Sequence, residues 1–211
     1  MFKLNRLSKR MIILLAAVSA LGPVGMQILL PALPVIKQKF YVTNDVAQLT
    51  LSLSMLAIAI GTLVYGPLSD KFGRKRVMLV GIIITIFGSI VCFVADSIML
   101  LISGRFIQAF GGAVGLVLAR AIVRDVYGPE EAARVIATLV MVMVVLPMMS
   151  PALGGELMQR FGFESVFIVI AFASAIAFVF LFLWLPETLA KPVPFEGVKS
   201  MLMTFSKLFA S

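Results

Sequence analysis

Histidine is absent from this 211-residue sequence, cysteine occurs once, and charged residues make up only 13% of the chain. Without histidine, a metal-ligand cluster, a phosphate-binding glycine loop or a nucleophile elbow, the sequence predicts no enzyme site and no cofactor. The single cysteine, Cys92, excludes an intramolecular disulfide. Soluble domains usually carry about 25% charged residues, so this chain cannot bury its apolar surface in one water-soluble core.

Hydrophobic residues make up 61% of the chain, and its mean hydropathy is +1.10. An α-helix needs about 20 apolar residues to cross a bilayer, and six stretches are close to that length. They cover residues 11–33, 46–67, 77–95, 98–119, 134–157 and 166–186. A membrane β-barrel would instead need alternating segments of about ten residues. The sequence therefore predicts an all-α membrane protein with six transmembrane helices.

The lysine and arginine residues predict which way these helices run. Fourteen lie before the first span, after the sixth, or in the connections that follow the second and fourth spans; three lie on the other side. Positively charged loops stay in the cytoplasm, so both termini are predicted to be cytoplasmic. The net charge of +8 does not indicate nucleic-acid binding, because the charges form short clusters between apolar runs. A signal peptide is the alternative for the first span, because Val18-Ser19-Ala20 resembles a cleavage site.

A short motif occurs twice, 89 residues apart. Residues 66–73 read GPLSDKFG and residues 155–162 read GELMQRFG, with glycine, leucine, a basic residue, phenylalanine and glycine in register. The same offset moves the first three spans close to the last three, so we predict two three-helix units. Because three is odd, the second unit is inserted upside down, as in the inverted repeats of secondary transporters. Chance similarity of the two short motifs is the alternative.

The loop from Gly66 to Arg76 resembles the signature loop of the major facilitator superfamily. Three further segments resemble its drug/proton antiporter branch, in particular the bicyclomycin and chloramphenicol resistance proteins. They are residues 31–34 (PALP), 105–111 (RFIQAFG) and 150–155 (SPALGG). Superfamily members are built from two six-helix halves. The resemblance therefore implies that this chain supplies the amino-terminal half.

The resemblance also implies a function: export of small drug-like compounds by drug/proton antiport across the bacterial inner membrane. Spans 1 and 4 would line a central cavity, spans 2 and 5 would gate it, and spans 3 and 6 would support it. The expected partners are the lipid bilayer, the substrate and a second six-helix half, which is a missing carboxy-terminal half, a split partner or a second copy. A non-transporting membrane subunit, or a truncated remnant that needs a second half, is the alternative.

Five residues of the signature loop are candidates for a gate: Gly66, Asp70, Gly73, Arg74 and Lys75. Asp70 falls at the inner end of the second span, and Gly73 permits a tight turn before the basic residues. The loop is therefore suited to charge pairs that hold an inward gate closed. A positively charged cytoplasmic loop without any gating role is the alternative.

Arg105 and Gln108 share one face of the fourth span because they are three residues apart. A charge at the membrane centre costs roughly 2.5–3.5 kcal/mol, so we expect both to line a polar transport path. An arginine that snorkels to the outer interface is the alternative. Gln27, also predicted to line the path, stands where the family usually has an aspartate, and a glutamine cannot carry a proton. Proton coupling would need Asp125, Glu156 or a carrier in the second half; otherwise transport is not proton-driven.

The fourth and fifth spans contain small residues and prolines at spacings that affect packing. Residues Gly111, Gly115 and Ala119 recur every four positions and predict close helix packing. Near the end of the fifth span, Pro151, Gly154 and Gly155 form the segment that the family associates with exchange. We favour a bend with a conformational role over simple helix termination.

The sequence divides into a membrane domain, residues 1–190, and a segment of residues 191–211 that begins the central loop. That segment is predicted to form an amphipathic helix on the cytoplasmic membrane surface. One departure from the family concerns the connection after the fifth span, where Phe163-Glu164 replaces the common Trp-Arg pair. Charge pairing at this connection is therefore not carried over from the family.

Overall fold

A computed structural model describes residues 7–189, and the regular elements in that range are all helical. The helices are α1 (Lys9–Gln27), α2 (Leu33–Phe40), α3 (Asn44–Phe72), α4 (Arg74–Phe93), α5 (Ile98–Val126), α6 (Pro129–Phe161) and α7 (Ser165–Trp184). With α1 and α2 counted as one span, six are long and apolar enough to cross a membrane. The predicted all-α fold with six such helices is confirmed. The predicted amphipathic segment, residues 191–211, lies outside the described residues.

The first span is broken between Gln27 and Leu33, where the sequence had predicted one continuous stretch. Helix α1 ends at Gln27, a 3₁₀ turn covers Leu30–Ala32, and α2 then runs on to Phe40. The break follows from Pro31 and Pro34, which have no N–H to donate to the carbonyl four residues earlier. The helical path of this span therefore extends beyond its predicted end at residue 33.

The helices form two three-helix units, α1–α3–α4 (with α2) and α5–α6–α7. The first helix of each unit packs against the other two helices of the opposite unit: α1 against α6 and α7, and α5 against α3 and α4. Helices α1 and α5 also pack together, as do α4 and α7. This reciprocal packing is the inverted arrangement that the 89-residue offset predicts.

The two copies of the repeated motif adopt the same backbone conformation. Gly73 ends α3 with φ of 98°, and Gly162 ends α6 with φ of 83°. The N–H of each glycine donates to the carbonyl four residues back, Ser69 and Met158 respectively, at 3.0 Å. Because the helices between them alternate in direction, these turns lie at opposite ends of the bundle, here named the Gly73 end and the Gly162 end.

The core of the bundle lies around α5, and several other helices, α3 and α6 among them, leave much of their apolar surface uncovered. Most residues of α5 are buried. Helices α3 and α6 instead expose large apolar side chains, among them Met55, Leu56, Leu63, Met141, Val145 and Met148, the last with 82% of its surface exposed. A membrane helix that is apolar on its exposed side is suited to contact with lipid or with another helix bundle.

Candidate functional site

Arg74 joins the signature loop to the end of α5 at the Gly73 end. Its Nε donates to Asp125 Oδ2 at 2.9 Å, and its Nη1 lies 2.6 Å from Asp70 Oδ1 and 2.6 Å from Ser69 Oγ. The guanidinium is mostly buried, with its side chain 11% exposed. Charge-assisted hydrogen bonds are about twice as strong as neutral ones, so this cluster holds α3, α4 and α5 together at one end.

Glu187 completes this cluster, although sequence reasoning had not singled it out. Its carboxylate accepts hydrogen bonds from the backbone N–H groups of Arg74 at 2.8 Å and Lys75 at 3.3 Å, at the N-terminus of α4. Helix N-termini attract anions because their first N–H groups are unpaired and the helix dipole is positive there. The Pro-Glu-Thr sequence after the last span was the available signal.

Two further gating candidates have clear structural roles at this end. Gly73 has a left-handed backbone, and a Cβ there would lie 2.4 Å from Glu187 Oε2. Lys75 Nζ donates to the carbonyl oxygen of Phe182 in α7 at 2.8 Å. Gly66 has nothing within 4 Å of a would-be Cβ, so its role in packing within residues 7–189 is small.

Arg105 and Gln108 lie together inside the bundle, in a chain of hydrogen bonds. Arg105 is 2% exposed, and its Nη1 donates to Gln108 Oε1. Gln108 Nε2 donates in turn to Ser89 Oγ of α4 at 2.7 Å, and Ser89 Oγ donates to the Thr85 carbonyl at 2.8 Å. Arg105 Nε has no hydrogen-bond partner among residues 7–189. One donor of a buried cation is thus left for a further partner.

A small cleft opens beside this chain. It is lined by polar groups of Arg105, Gln108, Ser54 and Thr85, and by apolar residues of α1, α3, α5 and α7. Its volume of about 10 Å³ is near the smallest that holds one water molecule. Gln27 does not line this cleft; it lies exposed at the end of α1.

The segment of α6 that contains Pro151, Gly154 and Gly155 faces the break in the first span. A Cβ on Gly154 would lie 2.3 Å from the Ile28 carbonyl oxygen, so only glycine allows this close approach. A Cβ on Gly155 would meet nothing within 4 Å, and Pro151 is half-buried. Helix α6 continues through Pro151 to Phe161, so the segment does not terminate the helix there.

The two carboxylates considered for proton coupling lie at opposite ends of the bundle. Asp125 is paired with Arg74 and accepts from Thr188 Oγ1 at 3.4 Å. Glu156 is exposed and paired with Arg160 one turn further along α6. Neither lines the cleft of Arg105.

At the Gly162 end, Glu164 forms an ion pair with Lys39 of α2. Lys39 Nζ also lies 4.5 Å from the centre of the Phe163 ring, a cation–π distance. Partial burial acts to raise the pKa of Glu164, but its hydrogen bond from Lys39, a bond from its own backbone and the Lys39 charge outweigh that effect and lower it. Glu164, which departs from the family pattern at this connection, therefore has its own charge partner in Lys39.

Acidification is expected to weaken this ion pair. Because the pKa of Glu164 is lower in the folded chain, the stabilisation is present above the ordinary value of 4.5 and is lost as the pH falls through the folded pKa. The pair is partly exposed, so its contribution should stay below about 1 kcal/mol. The thermal midpoint in detergent should fall between pH 7 and pH 3, and the fall should be smaller in Glu164→Gln than in the native chain. An identical pH dependence in Glu164→Gln would contradict the assignment.

Six membrane helices in two inverted three-helix units, around a buried polar cleft, place the chain among membrane proteins with the architecture of secondary transporters. The family model of the Major Facilitator Superfamily matches residues 15–210. The chain belongs to this superfamily.

Known proteins that resemble the chain extend this assignment. The bicyclomycin resistance protein homolog of Haemophilus influenzae is 31% identical over 177 residues, which cover 84% of this chain and 44% of that protein. Multidrug resistance protein D of Escherichia coli is 27% identical over 201 residues, which cover 95% of this chain and 50% of that protein. The crystal structure of the human organic anion transporter MFSD10 matches the fold with a TM-score of 0.72 at 22% identity. The match covers 88% of this chain and 50% of that protein. The chain thus spans about half the length of these relatives, in agreement with the predicted match to an amino-terminal half.

Proposed function

We propose that the chain is the amino-terminal half of a drug-exporting transporter in the bacterial inner membrane, working by drug/proton antiport. The observation that carries the proposal is the buried Arg105–Gln108–Ser89 chain beside a cleft, with Arg105 Nε left without a partner in residues 7–189. A polar group of a substrate would satisfy that donor. The names of the bacterial relatives, bicyclomycin resistance and multidrug resistance, support a drug-like substrate.

The orientation is part of the proposal. We place the Gly73 end in the cytoplasm because the basic residues Arg74, Lys75 and Arg76 follow that turn, whereas Phe163 and Glu164 follow Gly162. The ion pairs of Arg74 and the cap formed by Glu187 would then brace the cytoplasmic end while the bundle rocks against its partner.

The second half is proposed to cover the exposed apolar faces of α3 and α6. These are the spans that the family resemblance assigns to the gates, and both leave large side chains uncovered. We place the proton carrier in that second half. Asp125 and Glu156 are both held by ion pairs away from the cleft, so neither is positioned to exchange a proton with a substrate beside Arg105.

The test is bicyclomycin accumulation in bacterial cells that express this chain together with its proposed second half, compared with cells that express the second half and carry an empty vector in place of this chain. We expect lower accumulation with the native chain and no reduction with Arg105→Ala, provided that both proteins reach the membrane in equal amounts. Collapse of the proton gradient should raise accumulation to the vector level. Accumulation at the vector level for both proteins would contradict transport by this chain and favour the alternative, a non-transporting subunit.

A further inference from the structure

Arg120 is a second arginine of helix α5, six residues before the helix ends at Val126. The sequence placed it just outside the predicted span, which ends at residue 119, but α5 continues to Val126. With residue 112 near the helix midpoint taken as the membrane centre, a rise of about 1.5 Å per residue puts Arg120 about 12 Å from that centre. The apolar half-thickness of a bilayer is about 15 Å. With this choice of centre, the cation lies near the edge of the hydrocarbon region.

Within residues 7–189, the Arg120 guanidinium has a weak polar partner and no carboxylate. Its Nη2 lies 3.7 Å from the sulfur of Met143 in α6, and the side chain is half-buried. A thioether is a poor acceptor, whereas a guanidinium offers five N–H donors in a planar fork. Charged side chains at membrane depth normally pair with another charge or face a polar path. Among the described residues, Arg120 is thus a cation without a carboxylate partner.

Arg120 lies closer to the Gly73 end of α5 than Arg105 and its cleft. The two residues are fifteen positions apart, which is about 22 Å along the helix and about 60° around it. Next to Met143, helix α6 exposes the apolar side chains of Val140 and Val144. The guanidinium therefore contacts Met143 close to apolar side chains of α6 that are partly exposed within the described range.

The charged residues that lie furthest from the helix ends in residues 7–189 are both positive. Each Asp and Glu of residues 7–189 lies in a connection or within five residues of a helix end, Glu156 being the furthest inside. Arg105 and Arg120 lie deeper than any of these carboxylates. A surface with positive charge and no carboxylate at the same depth favours anions over organic cations.

We propose that Arg120 binds the anionic group of an amphiphilic substrate, a carboxylate or sulfonate, whose apolar body lies on Val140 and Val144 of α6. The inference rests on the proposed transport function, since the occupant is taken to be a substrate. It adds amphiphilic organic anions to the drug-like compounds proposed as substrates.

The experiment uses the full chain in phosphatidylcholine vesicles and the fluorescent carboxylate 11-(dansylamino)undecanoate. Energy transfer from Trp184, the chain's single tryptophan, reports binding, and Trp184 lies at the Gly73 end, as Arg120 does. We expect Arg120→Gln to weaken carboxylate binding about tenfold, as for the loss of one charge-assisted hydrogen bond. Binding of the methyl ester of the same probe should be unchanged.

Arg124→Gln is the matched control, because Arg124 is exposed one turn further along α5. It should leave binding of both probes unaltered. Equal losses in the two variants would assign the effect to general surface charge and overturn the proposal, as would unaltered carboxylate binding in Arg120→Gln. Displacement of the probe by phosphatidylglycerol in the native chain, but not in Arg120→Gln, would identify a lipid headgroup as the anion and overturn the substrate assignment.

The binding result and the transport result are separable. Arg120-dependent binding of the carboxylate without any effect on bicyclomycin accumulation would uphold the anion site and contradict the proposed export. Lowered bicyclomycin accumulation without Arg120-dependent binding would uphold export and contradict the anion site.

Discussion

Gly115→Ala is expected to prevent stable folding of the bundle. A Cβ at this position would lie 2.2 Å from the Val18 carbonyl oxygen and 2.7 Å from its carbon, both in the backbone of α1. Backbone cannot rotate away as a flexible side chain can, so α1 and α5 would have to separate. Overpacking of this kind costs about 3 kcal/mol. The gain in helix propensity of about 1 kcal/mol offsets only part of that cost.

The measurement is the thermal midpoint of the detergent-solubilised protein, followed by size-exclusion chromatography. Gly155→Ala is the matched control, because the same substitution in another membrane helix meets nothing within 4 Å. We expect the control to unfold within a few degrees of the native protein, whereas Gly115→Ala should be recovered mainly as aggregate. Equal midpoints for the two variants would show that α1 and α5 do not pack as closely as the structure has them.

Arg105→Met is expected to abolish transport and also to destabilise the chain. Methionine has a similar length but donates nothing, so Gln108 Oε1 loses the Nη1–H that it accepts in the native bundle. A buried acceptor left unpaired costs about 1–3 kcal/mol. Transport should fall to the vector level, because the proposed polar contact for the substrate is removed together with the guanidinium.

A double variant separates these two effects. Arg105→Met combined with Gln108→Leu removes both partners, and Ser89 Oγ still donates to the Thr85 carbonyl. Replacing both members of a buried polar pair by apolar groups of similar shape is often nearly neutral. We expect the double variant to regain the native thermal midpoint without regaining transport. Recovery of transport together with stability would show that Arg105 has only a structural role.

The small residues of α5 show how much of the helix packing a sequence pattern can predict. Their spacing predicted close packing on one flank of the helix, and the close packing is present. The structure, however, divides them between two neighbours: a Cβ on Gly111 would lie 2.5 Å from the Thr85 backbone nitrogen in α4, and one on Gly115 would meet α1. Four residues turn a helix by about 40° beyond a full turn, which is enough to change the neighbour at a crowded interface.

The charged residues show where the sequence was insufficient. The signature loop predicted charge pairs, but their partners were unknown, because Asp125 and Glu187 lie 51 and 113 positions away from Arg74 along the chain. Arg120 was counted with the loop because the apolar run ended at residue 119, whereas the helix ended seven residues later. Hydropathy marks the lipid-compatible length, not the helix end.

The sequence by itself determined the class of fold, six apolar helices, their inverted repeat and the family. These features are local or periodic: hydropathy adds up along a window of about 20 residues, and the repeat is visible as an offset in the chain. Only the tertiary structure decided that Arg74 pairs with Asp125, that Glu187 caps α4, and that Arg105 and Gln108 share a cleft while Gln27 lies apart. The physical reason is that such contacts join helices that are distant in sequence, so their geometry depends on how the helices pack and not on any one segment.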